Sequence, residues 1–226
     1  MLKAVLFDLD ETLVDRSTML LNYLQAHYER YLPKIGVVTF EAYRDRFVTL
    51  DDYGYYPKEQ VFQRLIAEFN LPFLMEELLL DFRTNYPGYA ALYPGAMEVL
   101  TNLKAKGYSL GIITNGSVQS QQAKLAHTNL ISRVDVILIS EEVGVKKPEP
   151  EIFRIALERL GVRADEAVFI GDNPGSDIVG GNSAGMKTVW YENHIVWSPE
   201  IRIAPDYTIH SIEEVLTLDL FYQENL

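Results

Sequence analysis

Two aspartates one residue apart, Asp8 and Asp10, follow directly on the apolar run Lys3 to Phe7, and such a pair needs a physical reason. If the strand continued through them, side chains alternating with period two would put both carboxylates on one side. They would repel each other. Burying carboxylates without partners is costly, so a pair of this kind takes up a proton or recruits a cation. A second acidic set, Asp172 and Asp177, lies in Gly171-Asp172-Asn173-Pro174-Gly175-Ser176-Asp177. Three or four carboxylates with no His or Cys cluster describe an all-oxygen site, which suits a hard cation such as Mg2+. Between the two sets, Thr114-Asn115-Gly116-Ser117 offers hydroxyl, amide and backbone N–H groups at the start of a helix, a chemistry that cradles phosphate oxygens. Lys146 and Lys147 precede Pro148, which restricts the local backbone to an extended shape and would hold one lysine rigidly. Each element also has a plainer use. The acidic pairs and the Thr114 to Ser117 segment serve equally as caps of turns and helices, and the lysines as an exposed pair.

The elements that must position these residues are legible as strands. Lys3 to Phe7, Tyr108 to Ile113, Val134 to Ile139, Ala167 to Ile170 and Lys187 to Trp190 are short, nearly unbroken apolar runs, as expected of parallel strands buried on both faces. Each ends in polar residues. Helical patterns lie between the later runs, such as Pro94 to Lys106 closed by Gly107 and Pro150 to Leu160 closed by Gly161. Alternation of strand and helix predicts an α/β fold with a parallel sheet, and ligands bind such sheets at the carboxyl ends of the strands. The polar ends therefore converge on one rim. Residues 15–92 break the alternation and read as all helix. Leu20, Leu24, Tyr28 and Tyr31 keep a helical spacing until Pro33, Pro57 opens a second helix through Phe69, and Pro72 opens another through Phe82. A helical insertion of this length directly after the first strand predicts a cap domain (15–92) on a core formed by 1–14 and 93–226. From Asp206 the tail reads as a last strand and a capped helix.

Composition narrows the function classes. With 48% hydrophobic and 23% charged residues the chain is an ordinary globular protein, large enough at 226 residues for one domain with an insertion. No cysteine is present, which excludes disulfides, thiolate metal sites and cysteine nucleophiles. The formal charge of -12 argues against nucleic-acid binding, which depends on Lys and Arg. No segment has the ~18 consecutive apolar residues of a membrane span, and the N-terminus has no signal-peptide layout, so a cytoplasmic protein is expected. The four histidines (His27, His127, His194, His210) have no metal-like spacing and read as structural or exposed. Trp190 and Trp197 read as packing.

In order, and each at a strand end, Asp8-Leu9-Asp10-Glu11-Thr12, Thr114, Lys147 in Lys147-Pro148-Glu149-Pro150, and Gly171-Asp172 through Asp177 resemble the four motifs of the haloacid dehalogenase superfamily. The insertion is similar to the helical type I cap of its subfamily IA phosphatases. The resemblance implies a Rossmann-like three-layer core with an inserted all-helical cap. It also implies a Mg2+-dependent phosphatase that hydrolyses a small organic phosphomonoester, of the sugar phosphate or nucleotide class, through an aspartyl-phosphate. On that scheme Asp8 is the nucleophile and Asp10 the general acid and base. The Asp8 and Asp172 carboxylates and the Asp10 carbonyl hold Mg2+, and Asp177 joins them or braces Lys147. Thr114, with the Asn115 and Gly116 amides, grips the phosphoryl oxygens, and Lys147 balances the charge.

Asp10 argues against the dehalogenase branch, whose chemistry needs no metal and no acid two residues after the nucleophile. Glu11 stands where Gly or Asp is frequent, and its side chain is expected to face away or guard the entrance. That departure weakens the alternative of a phosphomutase of the β-phosphoglucomutase type. A third alternative is a non-catalytic binding protein on the same fold. Arg16, Tyr53, Tyr55, Tyr56 and Lys58 are candidates to contact the leaving group, although the tyrosines serve equally to pack the cap or its seam. A monomer is the default, with a dimer as the alternative.

Overall fold

In the computed structural model, residues 1–32 and 36–221 are described, so the helix stop expected at Pro33 lies outside the described residues. The chain opens with β1 (Ala4–Phe7) and passes through four helices, α1 (Arg16–Tyr31), α2 (Phe40–Asp51), α3 (Lys58–Phe69) and α4 (Met75–Asn85). It continues with α5 (Ala96–Ala105), β2 (Ser109–Thr114), α6 (Val118–His127), β3 (Val136–Ile139), α7 (Ser140–Val143) and α8 (Pro150–Leu160). The last elements are β4 (Ala167–Gly171), α9 (Val179–Ser183), β5 (Lys187–Tyr191) and β6 (Tyr207–Ile209). Two compact units result, one formed by Met1–Arg16 with Ala91–Leu226 and the other by Ser17–Ala90. Among the described residues, no helix is long and apolar enough to cross a membrane.

The first unit is a six-stranded sheet in the order β3-β2-β1-β4-β5-β6, and all five pairings are parallel. The expected α/β Rossmann-like architecture is present. Apolar residues on β1 explain its central place: all four are buried, and a strand covered on both faces must be apolar throughout. Leu6, Ile113, Leu138 and Phe169 pack on one face with Ile152, Phe153 and Ala156 of α8. Pro150 opens α8 and Gly161 closes it in the left-handed conformation, as the sequence signals predict. The tail departs from expectation: after β6 it forms 3-10 turns (Ile212–Thr217) rather than a capped α-helix.

The strand order reverses at β1, where the chain leaves for β2 and β3 on one side and β4 to β6 on the other. Loops that follow β1 and β4 diverge there and leave a crevice at the carboxyl ends. Phe7 pairs with Ile170, so Asp8 and Gly171 come next on adjacent strands. The turn after β4 is built around two side chains. Asn173 Oδ1 accepts from the amides of Gly175 (2.8 Å) and Ser176 (3.0 Å), and Pro174–Ile178 closes as a π turn that brings Asp177 back against Gly171. A Cβ on Gly171 would stand 2.3 Å from Asp177 Oδ2, so this strand end has to be glycine.

The second unit is all helix. Thr39 caps α2 by accepting from the Ala42 amide at 3.3 Å, and Pro57 precedes α3, but the helix expected from Pro72 starts only at Met75. Its interior is aromatic: Tyr23, Tyr43, Phe47 and Phe62 are buried, with Phe82 stacked on Tyr86 at 4.5 Å. At its centre Asp81 accepts from the Tyr23 hydroxyl (2.8 Å), His27 Nδ1 (3.0 Å), Arg30 (2.9 Å) and Asn85 (2.9 Å). Burial opposes the Asp81 charge, but the donors from His27, Arg30 and Tyr23 outweigh it and hold the carboxyl far below the ordinary range. Burial also lowers the His27 value. Tyr53 and Tyr55 are exposed by 54% and 62%, which removes them from the interior of the helical unit. Tyr56 faces the Arg64 guanidinium at 5.3 Å, and Lys58 pairs with the buried Asp51 at 2.5 Å.

Both lowered values carry the same sign for acid stability. The unfolded chain binds protons at Asp81 and His27 more readily than the folded one, so the helical unit is expected to lose stability as pH falls. Asp81→Asn should cost about 3 kcal/mol at neutral pH and flatten that acid dependence. Hydrogen exchange at α1 and α4 amides measures both effects, and unchanged protection would remove Asp81 from its central role. Gly171→Ala should destabilise the first unit by about 2 kcal/mol, read from chemical denaturation. An unshifted midpoint would contradict the close approach of Asp177.

Candidate active site

The chain does not continue as a strand past Phe7. It turns at once, with the Leu13 and Val14 amides donating to the Leu9 carbonyl at 3.0 and 2.8 Å. The side chains of Asp8 and Asp10 therefore do not share partners, contrary to the alternation expected of a continuing strand. The Asp8 amide donates to the Ile170 carbonyl at 2.9 Å, which ties the first residue of the loop to β4.

Asp8, Asp172 and Asp177 meet at the crevice between β1 and β4, each offering a carboxylate oxygen within 4.8 Å of the others. Lys147 Nζ lies 2.6 Å from Asp8 Oδ1 and 2.8 Å from Asp177 Oδ1. All four side chains are buried. Asp177 is the most engaged of the acids, since its Oδ1 also accepts from the Ser176 hydroxyl (2.9 Å) and its Oδ2 from the Asn173 amide (3.0 Å). Asp172 has a neutral partner: the Thr12 hydroxyl stands 3.4 Å from its Oδ1 and accepts from its amide at 3.1 Å. Trp190, expected only to pack, donates its indole N–H to the Asp172 carbonyl at 2.9 Å.

One ammonium among three carboxylates leaves negative charge without compensation. Burial pushes the Asp8 carboxyl up to about 7 against the pull of Lys147, with Asp177 and Asp10 adding to the rise. Burial raises Asp172 well above the ordinary range, reinforced by Asp177 and Asp8. Burial works against the Lys147 charge, yet Asp177 and Asp8 outweigh it and raise its value. A donor set of oxygens with surplus charge fits a hard divalent cation. Asp8 and Asp172 are each engaged through Oδ1, by Lys147 and Thr12, whereas both oxygens of Asp177 already serve Lys147, Ser176 and Asn173.

Lys147 is held through its backbone. The Asn115 side chain donates Nδ2–H to the Lys147 carbonyl and accepts the Lys147 amide at its Oδ1, both at 2.9 Å, and the Lys147–Pro148 peptide is cis. Ser117 caps α6 by accepting from Ser120 at 3.3 Å, and the Gly116 amide donates to Ser140 Oγ at 3.0 Å. Thr114 sits buried at the end of β2, where its hydroxyl accepts from Gln121 Nε2 at 2.5 Å.

Asp10 has different partners. Lys124 Nζ, from α6, lies 2.7 Å from both of its carboxylate oxygens, and Gln121 Nε2 donates to Oδ2 at 3.0 Å. Burial opposes the Asp10 charge, but Lys124, Arg16 and Gln121 hold its value below the ordinary range. Glu11, at φ 59°, is buried: Oε2 accepts from the Tyr93 hydroxyl at 2.7 Å, with His194 Nε2 at 3.4 Å. Asn193 donates to the Tyr93 hydroxyl at 2.7 Å and to the Glu11 carbonyl at 3.3 Å, pinning this left-handed residue.

Gln121, Lys124 and Tyr93 were not among the residues singled out from sequence, and Thr12 entered only as the last residue of the first motif, with no role of its own. The only signal was indirect: Gln121 and Lys124 share one helix face with the i, i+3 spacing, and α6 begins directly after Thr114.

The sequence model of haloacid dehalogenase-like hydrolases matches residues 5–191. A glyceraldehyde 3-phosphate phosphatase of Pyrococcus furiosus is 33% identical over 221 residues, covering 95% of this chain and 92% of the relative. Among solved structures, a HAD phosphatase from Thermococcus onnurineus is 32% identical, with a TM-score of 0.67 over 96% of this chain and 97% of that one. A putative HAD-hydrolase of Bacillus subtilis bound to magnesium is 26% identical, with a TM-score of 0.79 over 98% and 99% of the two chains. The motif order, the sheet topology and these likenesses agree: the chain belongs to the haloacid dehalogenase-like hydrolase family.

Proposed function

We propose that this chain is a Mg2+-dependent phosphatase that hydrolyses a small organic phosphomonoester through an aspartyl-phosphate on Asp8. The observation that carries the reading is the Asp8 carboxylate at the crevice, in contact with Lys147 and clustered with Asp172 and Asp177. The Pyrococcus furiosus relative, named for a triose phosphate, supports the sugar phosphate class, with nucleotides as the other class.

In this mechanism an Asp8 oxygen attacks phosphorus and the bond from phosphorus to the leaving oxygen breaks. Asp10 has to take up a proton for this step against the pull of Lys124, which favours its charged form, and gives that proton to the departing alkoxide. Deprotonated, it then takes a proton from the water that attacks the aspartyl-phosphate, which releases inorganic phosphate and restores Asp8. Lys147 offsets charge on Asp8 and on the transferring group, and Asp177 keeps the ammonium in place. Thr114 donates its hydroxyl to a phosphoryl oxygen, as do the backbone amides of Asn115 and Gly116, the latter after leaving Ser140. The Asp8 and Asp172 carboxylates with the Asp10 carbonyl would hold Mg2+, which when bound would offset negative charge and orient the phosphate. The helical unit, Ser17–Ala90, corresponds to the family's cap domain.

Asp8→Asn should reduce release of phosphate from a generic aryl phosphate to background, and acid-quenched wild-type protein should carry phosphate on Asp8 by peptide mass analysis. Undiminished turnover of the variant would remove Asp8 from the reaction. Adding Mg2+ to metal-free protein should raise its Tm, because binding to the folded state stabilises it by mass action. Asp172→Asn should abolish that shift; a retained shift would place the ion elsewhere.

A further inference from the structure

One face of α6 reaches into the site without having been assigned a part in it. Gln121 and Lys124 are both buried, and burying a lysine is costly unless its charge is paired and its hydrogens are used. Here they are used. The ammonium has three N–H groups and faces three acceptors, the two Asp10 oxygens at 2.7 Å and Gln121 Oε1 at 2.8 Å. Gln121 in turn divides its two amide hydrogens between Asp10 Oδ2 (3.0 Å) and Thr114 Oγ1 (2.5 Å). The loop after β2 is moulded on the same side chain. Gly116 has φ 146°, and a Cβ there would lie 3.1 Å from Gln121 Cγ and Cδ.

We propose that Gln121 and Lys124 are positioning residues that fix the Asp10 carboxylate and the Thr114 hydroxyl relative to each other through one continuous hydrogen-bond chain. This rests on the phosphatase reading and deepens it. Asp10 must meet the leaving oxygen on one side of phosphorus while Thr114 holds a phosphoryl oxygen, so a fixed separation between them sets the alignment of proton donor and phosphate. Gln121 spans that separation directly. Lys124 prevents the carboxylate from rotating away, since it contacts both oxygens and can keep one when the other turns to the leaving group.

The test compares two esters, an alkyl phosphate, whose alkoxide needs a proton to depart, and p-nitrophenyl phosphate, whose phenolate leaves without one. The quantity is kcat/KM, which covers steps only through departure of the leaving group and is blind to later hydrolysis of the aspartyl-phosphate. Lys124→Met should lower it about 100-fold for the alkyl ester, the scale of a general acid's contribution, and at least about 10-fold less for the aryl ester. Lys124→Arg should recover part of the loss, and adding Lys124→Met to Asp10→Asn should cost nothing further. Should Lys124→Met fail to fold by circular dichroism, Gln121→Leu carries the same comparison. Equal losses on the two esters, or an additive loss in the Asp10→Asn background, overturn the positioning role alone. Wild-type protein that releases phosphate from neither ester overturns the phosphatase reading and this role with it.

Discussion

Three carboxylates and a single ammonium, enclosed at the end of a central parallel strand, form the constraint on which the rest of the first unit depends. Asp177 and Asp8 outweigh the cost of burying the Lys147 charge, but Lys147 offsets only part of the cost of burying Asp8. Every nearby element answers to this. Gly171 gives up a side chain so that Asp177 can approach, Asn115 clamps the Lys147 backbone from both sides, and Thr12 and Trp190 fix Asp172 by its amide and its carbonyl. Asp8 raised to about 7 marks the deficit that remains, because Lys147 alone does not restore an ordinary carboxyl value. A site left short of positive charge, with carboxylate oxygens from Asp8, Asp172 and Asp177 close together, has the chemistry that suits a hard cation.

Asp8 and Asp10 belong to one motif but to two environments, and the division follows from the turn that begins at Leu9. Had β1 run two residues further, both side chains would share the acidic cluster. Instead Asp8 stays among acids while Asp10 meets Lys124 and Gln121 and feels Arg16, so that burial raises one value and neighbouring cations lower the other. The two carboxyls of one motif therefore differ in their preference for the charged form before any ligand binds. The turn is sustained at some cost, since Glu11 occupies left-handed φ without being glycine, and Tyr93 with Asn193 supplies the hydrogen bonds that hold it there.

Strands buried on both faces leave a mark that sequence can carry: an apolar run that stops at a polar residue. That is why β1, β2, β4 and β5 were legible to within a residue or two, as was α8 between its proline and glycine. The helical unit was harder. The stretch Phe40 to Asp51 forms α2, which lies inside the region expected to be all helix but was given no bounds of its own, because its buried Tyr43 and Phe47 are set among Arg44, Asp45 and Arg46. In the site, the strand-end acids and Lys147 were legible because adjacent carboxylates demand a reason. Lys124 and Gln121 were not, since a lysine and a glutamine three apart on a helix are the ordinary sign of an exposed face, and only tertiary packing buries them. Asp81, hub of the helical unit, was hidden likewise in a run of polar and apolar residues.

Two buried lysines thus attend the loop after β1, one for each aspartate: Lys147 for Asp8 and Lys124 for Asp10. Buried ion pairs add little net stability, and apolar residues of similar volume often do as well or better. Stability alone therefore does not account for either lysine. What apolar replacements could not supply is direction, because a carboxylate among hydrocarbon neighbours has no preferred rotamer and takes up a proton. With an ammonium on each, both carboxylates keep a defined orientation before any ligand arrives. Phosphoryl transfer, which asks of a protein mainly placement and charge, draws its advantage from that order.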